Sequence, residues 1–157
     1  MPQSPAVLFV CLGNICRSPL AEAAFRRAAE RAGLEVTVDS AGTGDWHVGH
    51  APDPRAQDVA RKSGVEIGHY RARQLEPDDF HRFSHVLVMD HQNLENARRI
   101  KPAGTATSLC LLLDLVPGRE GAAVADPYYG GEEHFDYCWA DVCLGADALV
   151  RMLLSER

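Results

Sequence analysis

Ala6-Val7-Leu8-Phe9-Val10, followed at once by Cys11-Leu12-Gly13-Asn14-Ile15-Cys16-Arg17-Ser18-Pro19, decides how this chain is read. Five consecutive apolar residues rich in β-formers describe a strand buried on both faces, as strands of a parallel sheet are. A short loop follows, and Leu20-Ala21-Glu22-Ala23-Ala24-Phe25 continues as a helix. Ser18 suits its N-cap, Pro19 its first turn, and Glu22 adds favourable early charge. Gly33 is the expected stop.

Working outward, the same alternation recurs. Residues 35–40, with Val36 and Val38, read as a second strand, and the Gly- and Pro-rich residues 41–54 as a long loop. Residues 55–63 read as a helix stopped by Gly64, residues 85–90 as a third strand ending in Asp90, and residues 91–100 as a helix. Residues 108–112 make a shorter fourth strand, a loop runs through Pro117 and Gly118 to Gly131, and residues 132–154 form one long amphipathic helix. Strands separated by helices require right-handed crossovers, hence an α/β fold with a four-stranded parallel sheet covered on both faces. Ligands in such folds bind beyond the carboxyl ends of the strands, at a switch point. The loop that starts at Cys11 begins at such an end. Without repeats, low-complexity tracts or linkers, residues 1–157 read as a single domain. At 46% hydrophobic residues the chain can bury a core without disulfides or metal.

A formal charge of −6 excludes a general nucleic-acid binder, which must neutralise a long phosphate backbone. A small cationic pocket for one phosphate remains compatible with it. Cys11, Cys16, Cys110, Cys138 and Cys143 are odd in number and irregularly spaced, which argues for a reducing compartment rather than a disulfide framework. Residues 1–5 lack the marks of a signal peptide, and residues 109–116, interrupted by Asp114, are too short to span a bilayer. The expectation is a soluble, cytoplasmic protein.

The chemistry concentrates in the first loop. Between a strand end and a helix start, successive backbone N–H groups can curl inward and, with the helix dipole, cradle a tetrahedral oxyanion. Gly13 and Asn14 both tolerate the positive φ that such a curl needs. A thiol at its base lies in positive potential, so Cys11 is expected to ionise readily and serve as a nucleophile. Arg17 returns to the rim, where its planar fork can grip two phosphate oxygens. Ser18 can donate its hydroxyl to the thiolate. Cys-x5-Arg alone arises often by chance, and most free cysteines are small core residues. The preceding buried strand and the Ser-Pro helix opening set this one apart. A leaving group must also be protonated, and Asp126 is the candidate acid. Asp126-Pro127 fixes a loop conformation, and Tyr128 and Tyr129 can wall a phenyl ring. The plain alternative is a turn with two exposed tyrosines.

Residues 11–19 and 126–130 resemble the signatures of the low-molecular-weight protein tyrosine phosphatases. Ser40-Ala41-Gly42-Thr43 and Met89-Asp90 extend the resemblance over nearly the whole chain. The resemblance implies a four-stranded parallel sheet with helices on both sides and a two-step hydrolysis of phosphotyrosine through a phosphocysteine on Cys11. Asp126 would act as acid and then as base. Arg17 and the backbone of Leu12, Gly13, Asn14, Ile15 and Cys16 would bind the phosphate, with Ser18 in support. Asn14 would hold the strained loop, helped by Ser40 and by His69. Trp46, Tyr128 and Tyr129 would line the entrance. Cys16 would form a recoverable disulfide with Cys11 under peroxide. No cofactor and no metal are implied, and His47 and His50 have no accompanying ligand cluster. The implied partner is a tyrosine-phosphorylated protein or peptide, with an upstream tyrosine kinase as its counterpart. Neither nucleic acid nor membrane is expected, and the oligomeric state stays open. Ser40 as a turn cap, His69 as a surface group, Trp46 as a packing residue and Cys16 as loop filler are the ordinary alternatives. Cys138 and Cys143 read as packing residues.

Three other activities fit the same loop. An arsenate reductase of this fold resembles a relay of three cysteines with a pair after the third strand, and residues 89–104 hold none. A protein-arginine phosphatase resembles this chain but has Thr where Ile15 stands and fewer aromatic residues after the Asp-Pro. A phosphate- or flavin-phosphate-binding module would need neither a thiol opposite an arginine nor a distant acid.

Overall fold

The computed structural model describes residues 4–156, so the reading of residues 1–5 falls mostly outside the described residues. The elements are β1 (Ala6–Cys11), α1 (Arg17–Arg31), β2 (Thr37–Gly42), α2 (Pro54–Lys62), α3 (Asp79–Arg82), β3 (His85–Val88), α4 (His91–Ile100), β4 (Ser108–Leu111), a 3-10 turn over Leu112–Leu115, and α5 (Glu132–Ser155). The four strands form one parallel sheet in the order β2-β1-β3-β4.

Alternation along β1 separates the two layers, because successive side chains of a strand point to opposite faces. Val7 and Phe9 enter a core shared with α1, α2 and α5, while Leu8 and Val10 enter a second core with α3 and α4. All four are fully buried, which is why the run carries no polar position. Phe9 meets Phe25 of α1 with ring centroids 5.6 Å apart. Burying a side chain of this size contributes about 1.5–3 kcal/mol. From β1 the chain passes to β2 on one side and then across to β3 on the other. The end of β1 is therefore the switch point, and the loop after Cys11 opens there.

Several boundaries differ from the sequence reading, each for a local reason. α1 starts at Arg17 with Cys16 at its N-cap, so Ser18 is not the cap, and no side chain caps that end. Glu22 does not serve as an exposed first-turn charge: it is buried and hydrogen-bonded. β2 runs two residues later than expected, since its partners are set by the register Ala6↔Thr37 through Cys11↔Gly42. β3 stops at Val88 because Asp90 turns to cap α4, accepting from the Asn93 amide at 2.7 Å while Asn93 Oδ1 accepts from the Asp90 amide. β4 ends at Leu111, where the chain tightens into the 3-10 turn. Pro54 at the first turn and Asp53 as cap start α2 one residue early. α3 had no periodic signal in four residues. Gly33 and Gly64 stop α1 and α2 as expected, at φ +67° and +80°.

Candidate active site

Strand β1 delivers Cys11 to the sheet edge, and α1 begins six residues later, so the chain between must turn back on itself. Asn14 takes the turn at φ +57°. Gly13 does not adopt positive φ, contrary to expectation; it is small because a Cβ there would lie 3.0 Å from His47 Cδ2. Among the described residues, no backbone N–H of residues 13–18 donates to a protein acceptor. These amides lie around the start of α1, where strand-loop-helix geometry allows an oxyanion to be held.

Side chains brace the cradle from beneath. Asn14 Nδ2 donates to Ser18 Oγ at 2.8 Å and to Ser40 Oγ at 3.0 Å, and Asn14 Oδ1 accepts from the Arg73 amide at 3.0 Å. Ser18 Oγ lies 3.0 Å from Cys11 Sγ. Because the Ser18 oxygen already accepts from Asn14, its own proton has two acceptors in reach, the sulfur at 3.0 Å and the Ala41 carbonyl at 3.5 Å. Ser40 donates to Glu22 Oε1 at 2.7 Å, and Arg26 holds the other oxygen of Glu22 at 2.9 Å. Burial pushes the Glu22 carboxyl above its usual range, against the lowering by Ser40 and Arg26. The network thus includes Ser40, as expected, and Glu22 and the Arg73 backbone, which were not foreseen. His69 is outside it: the ring is exposed and sits edge-on to Tyr70.

Arg17 is 3% exposed, and one arm of its guanidinium is anchored. It donates to Asp90 Oδ2 at 2.7 Å and to the Val124 carbonyl at 3.0 Å, and stands 3.7 Å from Asp126 Oδ2. Burial alone would lower its pKa, but Cys11, Asp90 and Asp126 outweigh it and raise it. The cation is therefore permanent and aimed. Asp90 was noticed only as a strand-end acid; its position at the C-terminal end of β3, beside the switch point, was the signal that it belonged to the site.

Asp126 is 42% exposed at the side chain, across the cavity from the loop. Its Oδ1 accepts from the Tyr128 amide at 3.1 Å, which leaves Oδ2 toward Arg17. Arg55 ties this loop to α2: it pairs with Asp53 at 2.9 Å, donates to the Gly130 carbonyl at 3.1 Å and lies over the Tyr128 ring. The cavity, about 290 Å³, is lined by Cys11, the loop, Asp126, Trp46, Tyr128 and Tyr129, and also by His47. Of seven large hydrophobic residues exposed among the described residues, Leu12, Trp46, Val48, Tyr128 and Tyr129 lie on the segments around its mouth. Trp46 is 67% exposed and Tyr129 95%, which fits walls awaiting a partner better than packing residues.

Cys16 lines the same cavity as a free, buried thiol, and burial, followed by Asp53 and Cys11, pushes its pKa well up. Cys138 is buried, its pKa raised to about 12 chiefly by burial, and Cys143 is half-buried on the same helix. Among the described residues no three His, Cys, Asp or Glu side chains gather at metal-ligand spacing, and no helix is long and apolar enough to cross a membrane. What the arrangement can do is hold a tetrahedral dianion on backbone amides and an arginine, with a thiol behind it and a carboxyl in front.

Known proteins resemble this chain in sequence and fold. Residues 6–157 match the family model described as low molecular weight phosphotyrosine protein phosphatase. A relative of that name in Schizosaccharomyces pombe is 47% identical over 142 residues, covering 88% of this chain and 90% of its own. The crystal structure of a protein tyrosine phosphatase from Entamoeba histolytica superposes with a TM-score of 0.92 at 31% identity, covering 98% of this chain and 99% of that one. The crystal structure of YfkJ from Bacillus subtilis also gives 0.92, at 36% identity and coverage of 99% and 98%. With sequence, fold and length all shared, the chain belongs to the low molecular weight phosphotyrosine protein phosphatase family and is a phosphatase.

Proposed function

We propose that residues 1–157 act as one catalytic unit that hydrolyses phosphotyrosine in proteins or peptides by way of a phosphocysteine. The observation that carries this reading is the gathering of groups on one cavity: Cys11 with Ser18 on its sulfur, Arg17 and the loop, and Asp126 3.7 Å from Arg17. In the first step Cys11 Sγ, as thiolate, bonds to phosphorus and the bond to the tyrosine oxygen breaks, while Asp126 supplies the proton that oxygen needs. In the second step Asp126 takes a proton from water, the water oxygen bonds to phosphorus, and the S–P bond breaks to return the thiolate and release phosphate. Ser18 hydrogen-bonds the sulfur as it departs. Arg17 and the amides of residues 12–17 hold the equatorial oxygens throughout, stabilising charge where it develops.

Trp46, Tyr128 and Tyr129 select an aromatic ester, and the apolar collar around them favours a phosphotyrosine over the charged, flexible side chain of phosphoarginine. Under peroxide, Cys11 is oxidised to a sulfenic acid, and Cys16 condenses with it to a disulfide with loss of water. The raised pKa of Cys16 keeps it protonated and out of the resting reaction. Five free thiols, none of them exposed, accord with a reducing, cytoplasmic setting, and a tyrosine kinase would be the source of substrate.

The test is hydrolysis of p-nitrophenyl phosphate, with a chelator present, by wild type and Cys11→Ser, followed by phosphotyrosine and phosphoarginine peptides. Chelator-resistant activity that vanishes in the variant and prefers phosphotyrosine supports the reading. Preference for phosphoarginine would replace it.

A further inference from the structure

Arg73 stands outside the cavity, yet the Asn14 brace of the loop leads back to it. Its backbone amide is the donor to Asn14 Oδ1, and its carbonyl accepts from Gly42, the residue paired with Cys11 across β1 and β2. The segment that carries it has no regular structure beyond one isolated bridge, Gly42 to Gln74. Two backbone bonds, Gly42 N–H to the Arg73 carbonyl and Leu75 N–H to the Gly42 carbonyl, tie it to β2. Ala72 exchanges two more backbone bonds with residues 49 and 50, at 2.8 and 2.9 Å, and the Arg73 side chain adds the ion pairs. Its NH1 and NH2 groups form a two-pronged pair with Asp79, both bonds 3.0 Å, and its Nε donates to Asp39 Oδ2 at 3.0 Å.

Both acids are themselves fixed. Asp79 is fully buried at the head of α3, where it also accepts from the Glu76 amide at 2.9 Å and from Arg82 at 2.7 Å. Asp39 Oδ1 accepts from the Ser40 amide at 2.8 Å, so the guanidinium reaches the residue next to Ser40 as well. A planar fork gripping one carboxylate with two bonds fixes direction as well as distance, which a point charge does not.

The consequence runs along bonded atoms. The Arg73 amide fixes which way the Asn14 amide group faces, because Oδ1 must meet a donor and Nδ2 must meet two acceptors. Asn14 Nδ2 then occupies the Ser18 oxygen and leaves the Ser18 proton to Cys11 Sγ at 3.0 Å, the nearer of its two acceptors. We infer that Arg73 is a positioning residue for the reaction, its ion-paired side chain holding the amide that orients Asn14 and, through Asn14, Ser18 on the nucleophile. This rests on the proposed role of Cys11 and Ser18.

The plain alternative is an ion cluster that stabilises the fold and nothing else. A double-mutant comparison separates the two. Arg73→Ala, Asn14→Ala and the double variant are assayed as full chains on p-nitrophenyl phosphate, with Tm measured alongside. Positioning predicts that each single change lowers kcat about 10- to 100-fold, with KM moving less, the scale of loss expected when a catalytic group is misplaced by up to about 1 Å. The double variant should then be no slower than Asn14→Ala, although its Tm falls further. Arg73→Lys, which keeps the charge and loses the fork, should recover only part of kcat. If Arg73→Ala does not fold, Asp79→Asn in wild-type and Asn14→Ala backgrounds makes the same comparison. Wild-type kcat in Arg73→Ala, or losses that multiply in the double variant, overturns the inference. Should Cys11→Ser retain turnover, the reading of the site itself fails, whatever Arg73 does.

Discussion

Gly42→Ala probes a close approach between the sheet and the loop. A Cβ on Gly42 would stand 2.7 Å from the Leu12 carbonyl oxygen and 3.1 Å from both Gly13 C and Asn14 N. All three are backbone atoms, so no side chain can swing away and the loop must move by several tenths of an ångström. Overpacking of this kind costs about 1–3 kcal/mol. Gly42 is not at positive φ, so alanine recovers about 0.4–1 kcal/mol through a less flexible unfolded chain. The net loss is about 1–2 kcal/mol, a fall in Tm of roughly 2–8 °C for a chain this size. The displaced atoms belong to the cradle, so kcat should fall about 10- to 100-fold. Gly33→Ala is the control: φ is +67° and nothing lies within 4 Å of the added Cβ. Its cost is backbone strain, about 1–2 kcal/mol, and it touches no part of the site. Thermal melts and p-nitrophenyl phosphate kinetics on both should give similar Tm losses and a kcat loss only for Gly42→Ala. Wild-type kcat in Gly42→Ala would refute the claim that this contact sets the loop.

Asp126→Ala should slow the first step, read as the rate of leaving-group release in the first turnover, about 10²- to 10⁴-fold for aryl phosphates with poor leaving groups and spare that step for very acidic ones; equal losses of first-turnover rate across a series would make Asp126 structural. Trp46→Ala should raise KM for phosphotyrosine peptides several-fold and leave inhibition by inorganic phosphate unchanged, measured side by side; weakened phosphate inhibition would place Trp46 in the phosphate site instead. Burial alone would raise the Asp79 carboxyl, but Arg73, the Glu76 amide and Arg82 outweigh it and hold the group below its ordinary 3.8. A depressed carboxylate stabilises the fold above its unfolded pKa and loses that contribution as pH falls through the folded value. Urea midpoints should therefore drop more steeply below about pH 4 in wild type than in Asp79→Asn, and parallel curves would contradict the pairing.

Much of this site was legible because its signals are local. A five-residue apolar run announced β1, and the residues beside it in sequence are beside it in space, so Cys11, Asn14, Arg17 and Ser18 could be read together. Asp126, Tyr128 and Tyr129 share one short loop with a proline to fix it. The parts that were missed depend on contacts across the sheet. Glu22 sits on a helix where its spacing suggested only a first-turn charge, and its burial follows from where Ser40 lands. Arg73 acts through its backbone amide, which no residue type can advertise, and through acids 34 residues before and 6 after it. Ser18 looked like a helix cap because Ser-Pro is one so often; here its hydroxyl is turned to the sulfur, and the helix end is left open for a ligand. His69 carried a role suggested by likeness alone, and its ring lies outside the network.

The central claim is that phosphate passes through Cys11. Acid quenching of Asp126→Asn during turnover of p-nitrophenyl phosphate, followed by peptide mass analysis, tests it most directly. The variant should form the intermediate with this acidic leaving group but hydrolyse it slowly, for want of a base. Phosphate on the peptide bearing Cys11, absent when Cys11→Ser is added, is the predicted result. Turnover with no phosphate on Cys11, or with phosphate on another residue, would contradict the account.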